Sequence, residues 1–136
     1  MQFVDDFFTV FLREKMNTLL LKGFEAYCID FSIEFSDIHR EWHITVSNGM
    51  ITAIEHTVLR KPTVRFIVAV PVFRDILMKS ISPRQAFFLR KTDIKGNLFE
   101  GMKLAQILAY FFNQYLFEID ENNQCHLIAK DILPCV

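Results

Sequence analysis

The sequence lacks the features that mark several large classes of protein. Its 136 residues include only four glycines, and Gly49, Gly96 and Gly101 are isolated, so no glycine-rich phosphate loop is present. The longest apolar run, residues 66–73, is far shorter than the roughly 18 residues that span a bilayer. A net charge of −1 provides no field that would attract DNA or RNA. We therefore expect no nucleotide phosphate site, no transmembrane helix and no nucleic-acid partner.

Cysteine is also scarce. The three cysteines, Cys28, Cys125 and Cys135, are odd in number and widely spaced, which is typical of reduced thiols and not of a disulfide framework. The segment MQFVDDFF has two aspartates where a secretory signal peptide carries lysine or arginine. These two observations predict a cytoplasmic protein.

No pattern of catalytic or metal-binding residues stands out. Cys125 and His126 are adjacent, which is not a zinc-ligand spacing. His39 and His43 are four residues apart, but they fall on a turn and a strand, where that spacing does not bring two ligands together. The Gly-x-Ser-x-Gly motif of a hydrolase nucleophile is missing. The sequence therefore predicts no metal, no cofactor and no enzymatic activity.

What the sequence has in abundance is hydrophobic and above all phenylalanine side chains. Hydrophobic residues make up 51% of the chain and phenylalanine occurs 15 times, which excludes a disordered chain. The length predicts one domain over residues 1–136 with a substantial core. Each ring buries roughly 150–250 Å², so 15 rings are many for one small core. Either some rings are exposed or they line a hollow interior.

The first half of the chain predicts a helix followed by three strands. Residues 3–21 have an apolar stripe of helical period, typical of a helix packed on a sheet, with a membrane-surface helix as the alternative. Residues 27–36 and 41–47 alternate strictly between apolar and polar, as half-buried strands do. Asn48-Gly49 predicts a tight type I′ hairpin turn into a third strand at 50–57. These strands form an antiparallel meander.

The next segment predicts two further strands and two short helices. Residues 63–70 are almost continuously apolar, which favours a strand buried on both faces. Residues 71–80 fit a helix that begins at a proline. Ser82 to Gln85 match a capping box that opens a helix through about residue 90, and residues 92–95 form a short fifth strand.

The most apolar segment follows. Asn97 to Glu100 form a second capping box, which opens a helix predicted to run to about Phe117. Its apolar arc is well over the roughly 100° of an ordinary amphipathic helix, so one side can pack on the sheet while the rest must contact something else. Residues 118–123 are polar and predict a turn, and residues 126–129 fit either a strand or a packed tail.

The residues of this region resemble the sterol carrier protein 2 superfamily. The resemblance rests on Pro83 followed by Gln85-Ala86-Phe87, on Ile94-Lys95-Gly96, on Met102-Lys103-Leu104, and on the hairpin from Trp42 to Gly49. It covers about residues 25–110. The family often has a Gly-Lys pair where this chain has Arg90-Lys91, and Phe87-Phe88-Leu89-Arg90 is more similar to the family's accessory proteins of bacterial ubiquinone biosynthesis.

The resemblance implies an α+β fold with a five-stranded, mainly antiparallel sheet covered by helices. It also implies a hydrophobic tunnel that binds a sterol, a fatty acid, an acyl-CoA or an isoprenoid without catalysis. The expected lining is a set of apolar side chains on the strands and the last long helix, which would act as a lid; plain core packing would explain the same side chains. These residues are Phe31, Phe35, Trp42, Phe66, Phe87, Met102, Ala105, Leu108, Phe112 and Leu116.

Other functions remain open at this point. The protein could be an accessory or scaffold protein that presents a lipid or quinone precursor to pathway enzymes. It could be an enzyme built on this fold, because a fold does not determine a function. It could also be a homodimer whose apolar helix is an interface without any ligand. Finally, a cluster of basic side chains could contact an anionic membrane surface or lipid head groups; these are Arg84, Arg90, Lys91, Lys95 and Lys103.

Overall fold

A computed structural model describes residues 2–56, 60–122 and 124–132 of the chain. Cys135 and the end of the strand predicted at 50–57 lie outside the described residues. The described cysteines, Cys28 and Cys125, are free thiols.

The chain begins with helix α1, which contains a π-helical turn. An α-helical turn over Gln2–Asp6 is followed by the π-helical turn Phe7–Phe11 and a last α-helical turn over Leu12–Glu14. The three phenylalanines of the π-helical turn are all buried. The predicted packing of this helix in the core is confirmed.

The predicted end of α1 near residue 21 was wrong, because the helix ends at Glu14. Asn17 adopts a left-handed conformation, with φ of 62°, and its N–H donates to the Ile51 carbonyl oxygen at 3.0 Å. The Leu20 N–H donates to the Gly49 carbonyl oxygen at 2.9 Å. Residues 17–20 therefore bond to the neighbouring hairpin, and those bonds replace the helical ones.

Five strands form one sheet with a single parallel pair. The order across the sheet is β3-β2-β1-β4-β5. Strands β1 and β4 are parallel, and the other neighbours are antiparallel. This confirms the predicted five-stranded, mainly antiparallel sheet. The strands are β1 (Ile29–Phe35), β2 (Arg40–Ser47), β3 (Met50–Glu55), β4 (Val64–Val68) and β5 (Thr92–Gly96).

The turn between β2 and β3 is the predicted one. Asn48 and Gly49 both have positive φ, 54° and 74°, as a type I′ turn requires. A Cβ atom on Gly49 would lie 2.4 Å from the Phe24 carbonyl oxygen. Glycine is therefore needed here for space as well as for backbone conformation.

Strand β4 is buried on one face, so the prediction of burial on both faces was wrong. Val64, Phe66 and Val68 are buried under the helices, whereas Arg65 and Ile67 are half-buried on the other side. The run of apolar residues around Arg65 suggested burial on both faces of the strand. Arg65 marks the second face as polar, because its guanidinium pairs there with the carboxylates of Glu34 and Glu41.

Three helices follow β4, at Val70–Leu77 (α2), Pro83–Phe88 (α3) and Leu98–Phe112 (α4). The capping box of α3 is confirmed: the Gln85 N–H donates to Ser82 Oγ at 3.1 Å, and the Ser82 N–H donates to Gln85 Oε1 at 3.0 Å. Asn97 Oδ1 caps α4 by accepting from the Glu100 N–H at 3.0 Å. Both helix starts were therefore predictable from local sequence.

Helix α4 ends at Phe112, not at the predicted Phe117. Strand β6 (Tyr115–Asp120) and strand β7 (His126–Asp131) then form a separate antiparallel hairpin. The turn predicted at residues 118–123 was thus partly wrong. Gln114 explains why the helix gives way to a strand here. Its side-chain N–H donates to the Leu20 carbonyl oxygen, and its backbone carbonyl oxygen accepts from the Ile132 N–H, each at 3.0 Å.

Asp6 attaches this hairpin to α1. Its carboxylate accepts from the Leu127 N–H at 2.9 Å and from Gln2 Nε2 at 3.0 Å, and it lies 2.9 Å from His126 Nδ1. Burial by itself raises the pKa of Asp6, but the bonds from Leu127, Gln2 and His126 outweigh it, and the pKa lies below the ordinary 3.8. The ionised carboxylate therefore stabilises the folded state.

We expect Asp6→Asn to lower the free energy of unfolding near neutral pH by about 1–3 kcal/mol, because hydrogen bonds to a charged acceptor are lost. The contribution of Asp6 is present above its unfolded pKa and is lost as pH falls through its lower folded pKa. The difference between wild type and variant should therefore disappear in acid. Urea unfolding over a pH series measures it.

The neighbouring Asp5→Asn variant is the control. Asp5 pairs with Arg40 at the surface, where an ion pair contributes less than about 1 kcal/mol. An equal loss in both variants, or a difference for Asp6→Asn that persists in acid, would contradict the role of Asp6.

Candidate functional site

Helix α4 lies across the inner face of the sheet and is closest to it near its N-terminus. A Cβ atom on Gly101 would lie 2.4 Å from Ile94 Cγ2 and 3.3 Å from Val64 Cγ1. This end of the helix is therefore in tight contact with β4 and β5. Further along the helix, Leu108 and Phe112 border cavities that lie between α4 and the sheet.

Two apolar cavities, here called the outer and the inner void, lie between α4 and the sheet, and the outer one is about half open to the surface. The outer void holds about 40 Å³ and the inner void about 20 Å³. Ile33, Leu108 and Phe112 line both, so these three side chains form the partition between them. Each void has room for no more than a few water-sized molecules.

A surface pocket, here called the mouth, leads to the outer void. It holds about 170 Å³ and shares Ile76, Pro83 and Phe112 with the outer void. Lys79 is the charged residue among the described residues that line it. The Lys79 ammonium donates to the Tyr115 carbonyl oxygen, and its partial burial lowers the pKa of Lys79.

Two hydroxyl groups without hydrogen-bond partners belong to residues that line the voids. Thr92 lines the outer void and Tyr27 the inner one, and neither Thr92 Oγ1 nor Tyr27 Oη has a partner. Burial, with a smaller effect of the nearby Glu100 carboxylate, raises the pKa of Tyr27 to about 12. The apolar site thus contains isolated polar atoms.

Four of the ten side chains expected to line a cavity do border these voids. Phe31 lines the inner void, Phe66 lines the outer void, and Leu108 and Phe112 line both. They come from β1, β4 and α4, which the fold brings together beneath the helix.

The other six lie elsewhere. Phe35 and Ala105 are buried in the core, and Trp42 stacks on Phe8 with ring centroids 4.8 Å apart. Met102 borders a groove on the outward side of α4. Phe87 is half-buried on α3, and Leu116 is 45% exposed on β6.

Several lining residues were not expected from the sequence. The strict alternation of β1 would have included Ile33 with its neighbours. For Ile76, Pro83, Thr92 and Ile94 no local signal exists, because they reach the voids only through the packing of α2, α3 and β5 beside α4.

The outward side of α3 and α4 is apolar and basic. Two open grooves of about 390 and 500 Å³ run along it and meet at Arg84, Gln106 and Tyr110. Phe99 is 77% exposed and Phe88 is 65% exposed. Arg84 and Lys103 line these grooves. The segment of residues 83–113 carries five basic and two acidic side chains, although the whole chain has a net charge of −1. The second groove shares Ser82, Gln85, Ala109 and Asn113 with the mouth.

The opposite face of the sheet carries a polar layer. Ser32, which is 0% exposed, donates to Glu41 Oε2 at 2.6 Å, and His43, which is 3% exposed, lies 3.1 Å from Asp30 Oδ2. Burial tends to raise the pKa of Asp30, but bonds from Thr63 and His43 lower it overall. Ser32 faces His43 in register, yet its hydroxyl is bonded to Glu41. The layer therefore ties strands together and borders none of the cavities above.

Two absences hold for the described residues. They include no group of three or more histidine, cysteine, aspartate or glutamate side chains placed to hold a metal ion. No helix within residues 2–56, 60–122 and 124–132 is long and apolar enough to cross a bilayer.

The fold and the voids define a class: an α+β domain with helices over a five-stranded sheet and small apolar cavities between the two layers. The chain belongs to the SCP-2 sterol transfer family, whose model matches residues 8–109. The resemblance inferred from the sequence is thereby confirmed. None of the curated protein sequences matches the chain.

Solved structures agree on the fold. Sterol carrier protein 2 matches with a TM-score of 0.61 at 7% identity, over 76% of this chain and 88% of that one. Sterol carrier protein 2 like 2 from Aedes aegypti gives 0.58 at 14% identity, over 76% and 94%. The UbiJ-SCP2 ubiquinone synthesis protein gives 0.59 at 7% identity, over 80% and 91%.

The chain also matches part of a much larger protein. A double mutant of the sec-alkyl sulfatase PisA1 gives a TM-score of 0.50 at 14% identity over 75% of this chain, but only 14% of the sulfatase is covered. A domain of this fold thus occurs within an enzyme.

Two valines of β4 provide a test of the outer void. Val68 borders it, whereas Val64 is equally buried and borders neither void. We expect Val68→Ile to keep or raise the free energy of unfolding by up to about 1 kcal/mol, because the added methylene fills empty space. Val64→Ile should cost about 1–3 kcal/mol by overpacking. Chemical denaturation measures the free energy of unfolding of both variants. Equal losses of stability in the two would argue against an empty space beside Val68.

Proposed function

We propose that this protein binds a hydrophobic ligand between the sheet and α4 and carries it without changing it chemically. The observation that carries the proposal is the row of cavities that runs from the partly polar mouth through the apolar outer void to the apolar inner void, each of them lined by Phe112. Transfer of apolar ligand surface out of water, at about 25 cal/mol per Å², would drive binding. Membership of the SCP-2 sterol transfer family supports it.

The ligand has to enlarge the cavity. Lipid-sized sites hold roughly 300–1,000 Å³, whereas the outer and inner voids hold about 40 and 20 Å³. Leu108 and Phe112 form the part of the partition contributed by α4, so their movement would join the voids into one tunnel.

We further propose that the outward side of α3 and α4 contacts an anionic membrane surface while the ligand is exchanged. Its exposed aromatic rings suit the lipid–water interface, and each basic side chain near such a surface contributes about 1 kcal/mol. The groove on this side shares four lining residues with the mouth. A membrane bound there would lie beside the entrance, in the cytoplasmic setting that the reduced cysteines favour.

A second candidate function is that of an accessory protein in quinone biosynthesis. The fold likeness to the UbiJ-SCP2 ubiquinone synthesis protein favours it. Such a protein would use the same cavity to present an isoprenoid precursor to enzymes. Reproducible co-purification with prenyl-quinone enzymes from its own host would support this role, whereas lipid-loaded protein without such enzymes would support a free carrier.

We expect Leu108→Trp to lower the affinity for a fluorescent fatty acid at least about tenfold. The indole would occupy the space on both sides of the partition, because Leu108 lines both voids. Direct titration with the fluorescent probe, together with native mass spectrometry of the purified protein, measures occupancy.

Met102→Trp is the matched control on the same helix. Met102 borders the outward groove and neither void, so binding should change less than about twofold. If Met102→Trp reduced binding as strongly as Leu108→Trp, or if the wild-type protein bound no probe and carried no lipid, the proposed site would be wrong.

Charge reversal at Arg90 and Lys91 tests the membrane contact. Both side chains are exposed, and replacing them by glutamate should weaken binding to vesicles that contain phosphatidylglycerol at least tenfold, at about 1 kcal/mol per basic residue. Binding to pure phosphatidylcholine vesicles should be weak for both proteins. Co-sedimentation measures both.

Glutamate at Arg13 and Lys22 provides the control, since these exposed side chains lie outside residues 83–113, the segment that carries the five basic side chains. This variant should retain vesicle binding. Unchanged binding after reversal of Arg90 and Lys91 would contradict the membrane contact, and a dimer that depends on Phe99 would instead identify this side as an interface between copies.

A further inference from the structure

Strand β5 forms one edge of the five-stranded sheet, and β3 forms the other. The edge of β3 is partly covered, because the Asn17 N–H donates to the Ile51 carbonyl oxygen and Leu19 forms a bridge with Met50. Among the described residues, no backbone hydrogen bond covers the outer edge of β5 in this way. An uncovered edge strand presents a row of groups that can pair with another strand.

The hydrogen bonds between β4 and β5 determine which backbone groups of β5 face the free edge. The Asn97 N–H donates to the Thr63 carbonyl oxygen at 3.0 Å, and these two residues continue the register of the β4–β5 pair. In an antiparallel pair, only every second residue bonds to the residue opposite it. Counting back from residue 97, residues 95 and 93 bond to β4. The N–H and carbonyl groups of Thr92, Ile94 and Gly96 therefore point to the free edge.

The two charged side chains of β5, Asp93 and Lys95, are exposed on the face of the sheet opposite the helices. Lys95 lies across from Arg65 of β4, and like charges in directly opposite positions repel each other. Neither Asp93 nor Lys95 forms a salt bridge with another described residue. The sheet of a single copy thus leaves both charges without a partner.

We propose that β5 pairs with β5 of a second copy of this chain, antiparallel and about a two-fold axis at Ile94. The pairing joins the two five-stranded sheets into one continuous sheet. In this register Ile94 lies opposite Ile94 of the second copy, and Thr92 lies opposite Gly96. The residues that bond across the axis are those whose N–H and carbonyl groups point to the free edge.

The same register makes the charges complementary. Asp93 of each copy lies opposite Lys95 of the other, in a pair without mutual backbone bonds, where the Cα atoms are about 4.5 Å apart and the side chains are closest. A lysine by itself on an edge strand would discourage pairing. An aspartate two residues before it turns the repulsion into two attractive pairs across the axis.

Apolar side chains flank β5 at both ends. Leu89 lies three residues before the strand and Leu98 two residues after it, and more than half of each side chain is exposed. Antiparallel pairing brings the Leu89 end of one copy beside the Leu98 end of the other. A strand pair of five residues with these flanks is small for a protein interface, so we expect a weak dimer.

The two-fold axis of an antiparallel strand pair is perpendicular to the sheet, so the helices of both copies lie on the same side of the combined sheet. The outward sides of α3 and α4 then face the same way, and both copies can contact one membrane surface. The pairing itself involves only the edge of the sheet and does not depend on a bound ligand.

Sedimentation velocity over a concentration series up to about 1 mM tests the pairing. The wild type should form a dimer with a dissociation constant of roughly 10–300 µM. Asp93→Lys makes positions 93 and 95 both positive, and Lys95→Asp makes both negative. Each variant alone should dimerise at least about tenfold more weakly, because both charge pairs across the axis become repulsive.

Two rescue measurements separate the pairing from other causes of a loss. A mixture of the two variants should dimerise again, because each pair across the axis then joins a positive and a negative side chain. The double variant Asp93→Lys with Lys95→Asp should dimerise like the wild type. Its net charge is that of the wild type, so its recovery tests the register and not the overall charge.

Other results overturn the proposal. A wild type that stays monomeric up to about 1 mM would do so, as would charge variants that dimerise as well as the wild type or a double variant that does not recover. A dimer that is lost in Phe99→Ala but kept in the charge variants would place the contact on the outward side of α4. Ligand binding is measured separately, so the proposed function stands or fails independently of these results.

Discussion

The packing of aromatic rings around Phe7 is the interaction on which the rest of the structure depends. The Phe7 ring contacts those of Phe8, Phe11, Phe73, Phe112 and Phe117, at centroid distances between 5.1 and 6.2 Å. These contacts join α1 to α2, α4 and β6 in one cluster. The π-helical turn contributes three buried rings to the core, those of Phe7, Phe8 and Phe11. Edge-on contacts between rigid rings fix positions well, but rings cannot adapt their shape to fill gaps as aliphatic chains do. Phe112, one ring of this cluster, lines both voids.

The local parts of this fold were predictable, and the parts that depend on distant partners were not. Alternation located β1 and β2, Asn48-Gly49 located the turn, and Ser82 and Asn97 located two helix starts. Each of these signals depends on a few neighbouring residues. The ends of α1 and α4 were misplaced because nothing in the local sequence stops either helix. Asn17 and Gln114 stop them through bonds to Ile51, Leu20 and Ile132. The parallel pairing of β1 with β4 is likewise invisible in either strand alone.

The candidate site, like the fold, was predictable from the sequence only in part. Composition indicated that some phenylalanine rings are exposed or line a hollow interior, and α4 was correctly singled out as having more apolar surface than one sheet can cover. Which side of α4 faces inward could not be decided from a helix that is apolar almost all round, and Met102 was therefore placed inside although it borders the outward groove. Phe35 and Trp42 do face the core, but Phe8 covers them. The spacing of apolar residues shows which face of a strand or helix is buried. It does not show where a cavity remains between that face and its neighbours.

How tightly α4 is held along its length decides where the site can open. At Gly101 the backbone of the helix approaches β5 so closely that a single added carbon would collide with Ile94. This end can move only if the strand moves with it. At Leu108 and Phe112 the helix meets the sheet through side chains that border voids, so less close packing opposes a displacement there. Phe112 would still have to move relative to the rings of Phe7 and Phe117, whose centroids lie 5.7 and 6.1 Å from its own. The mouth lies at this same end. We therefore expect the site to open at the Phe112 end of α4, while the end at Gly101 stays in contact with β5.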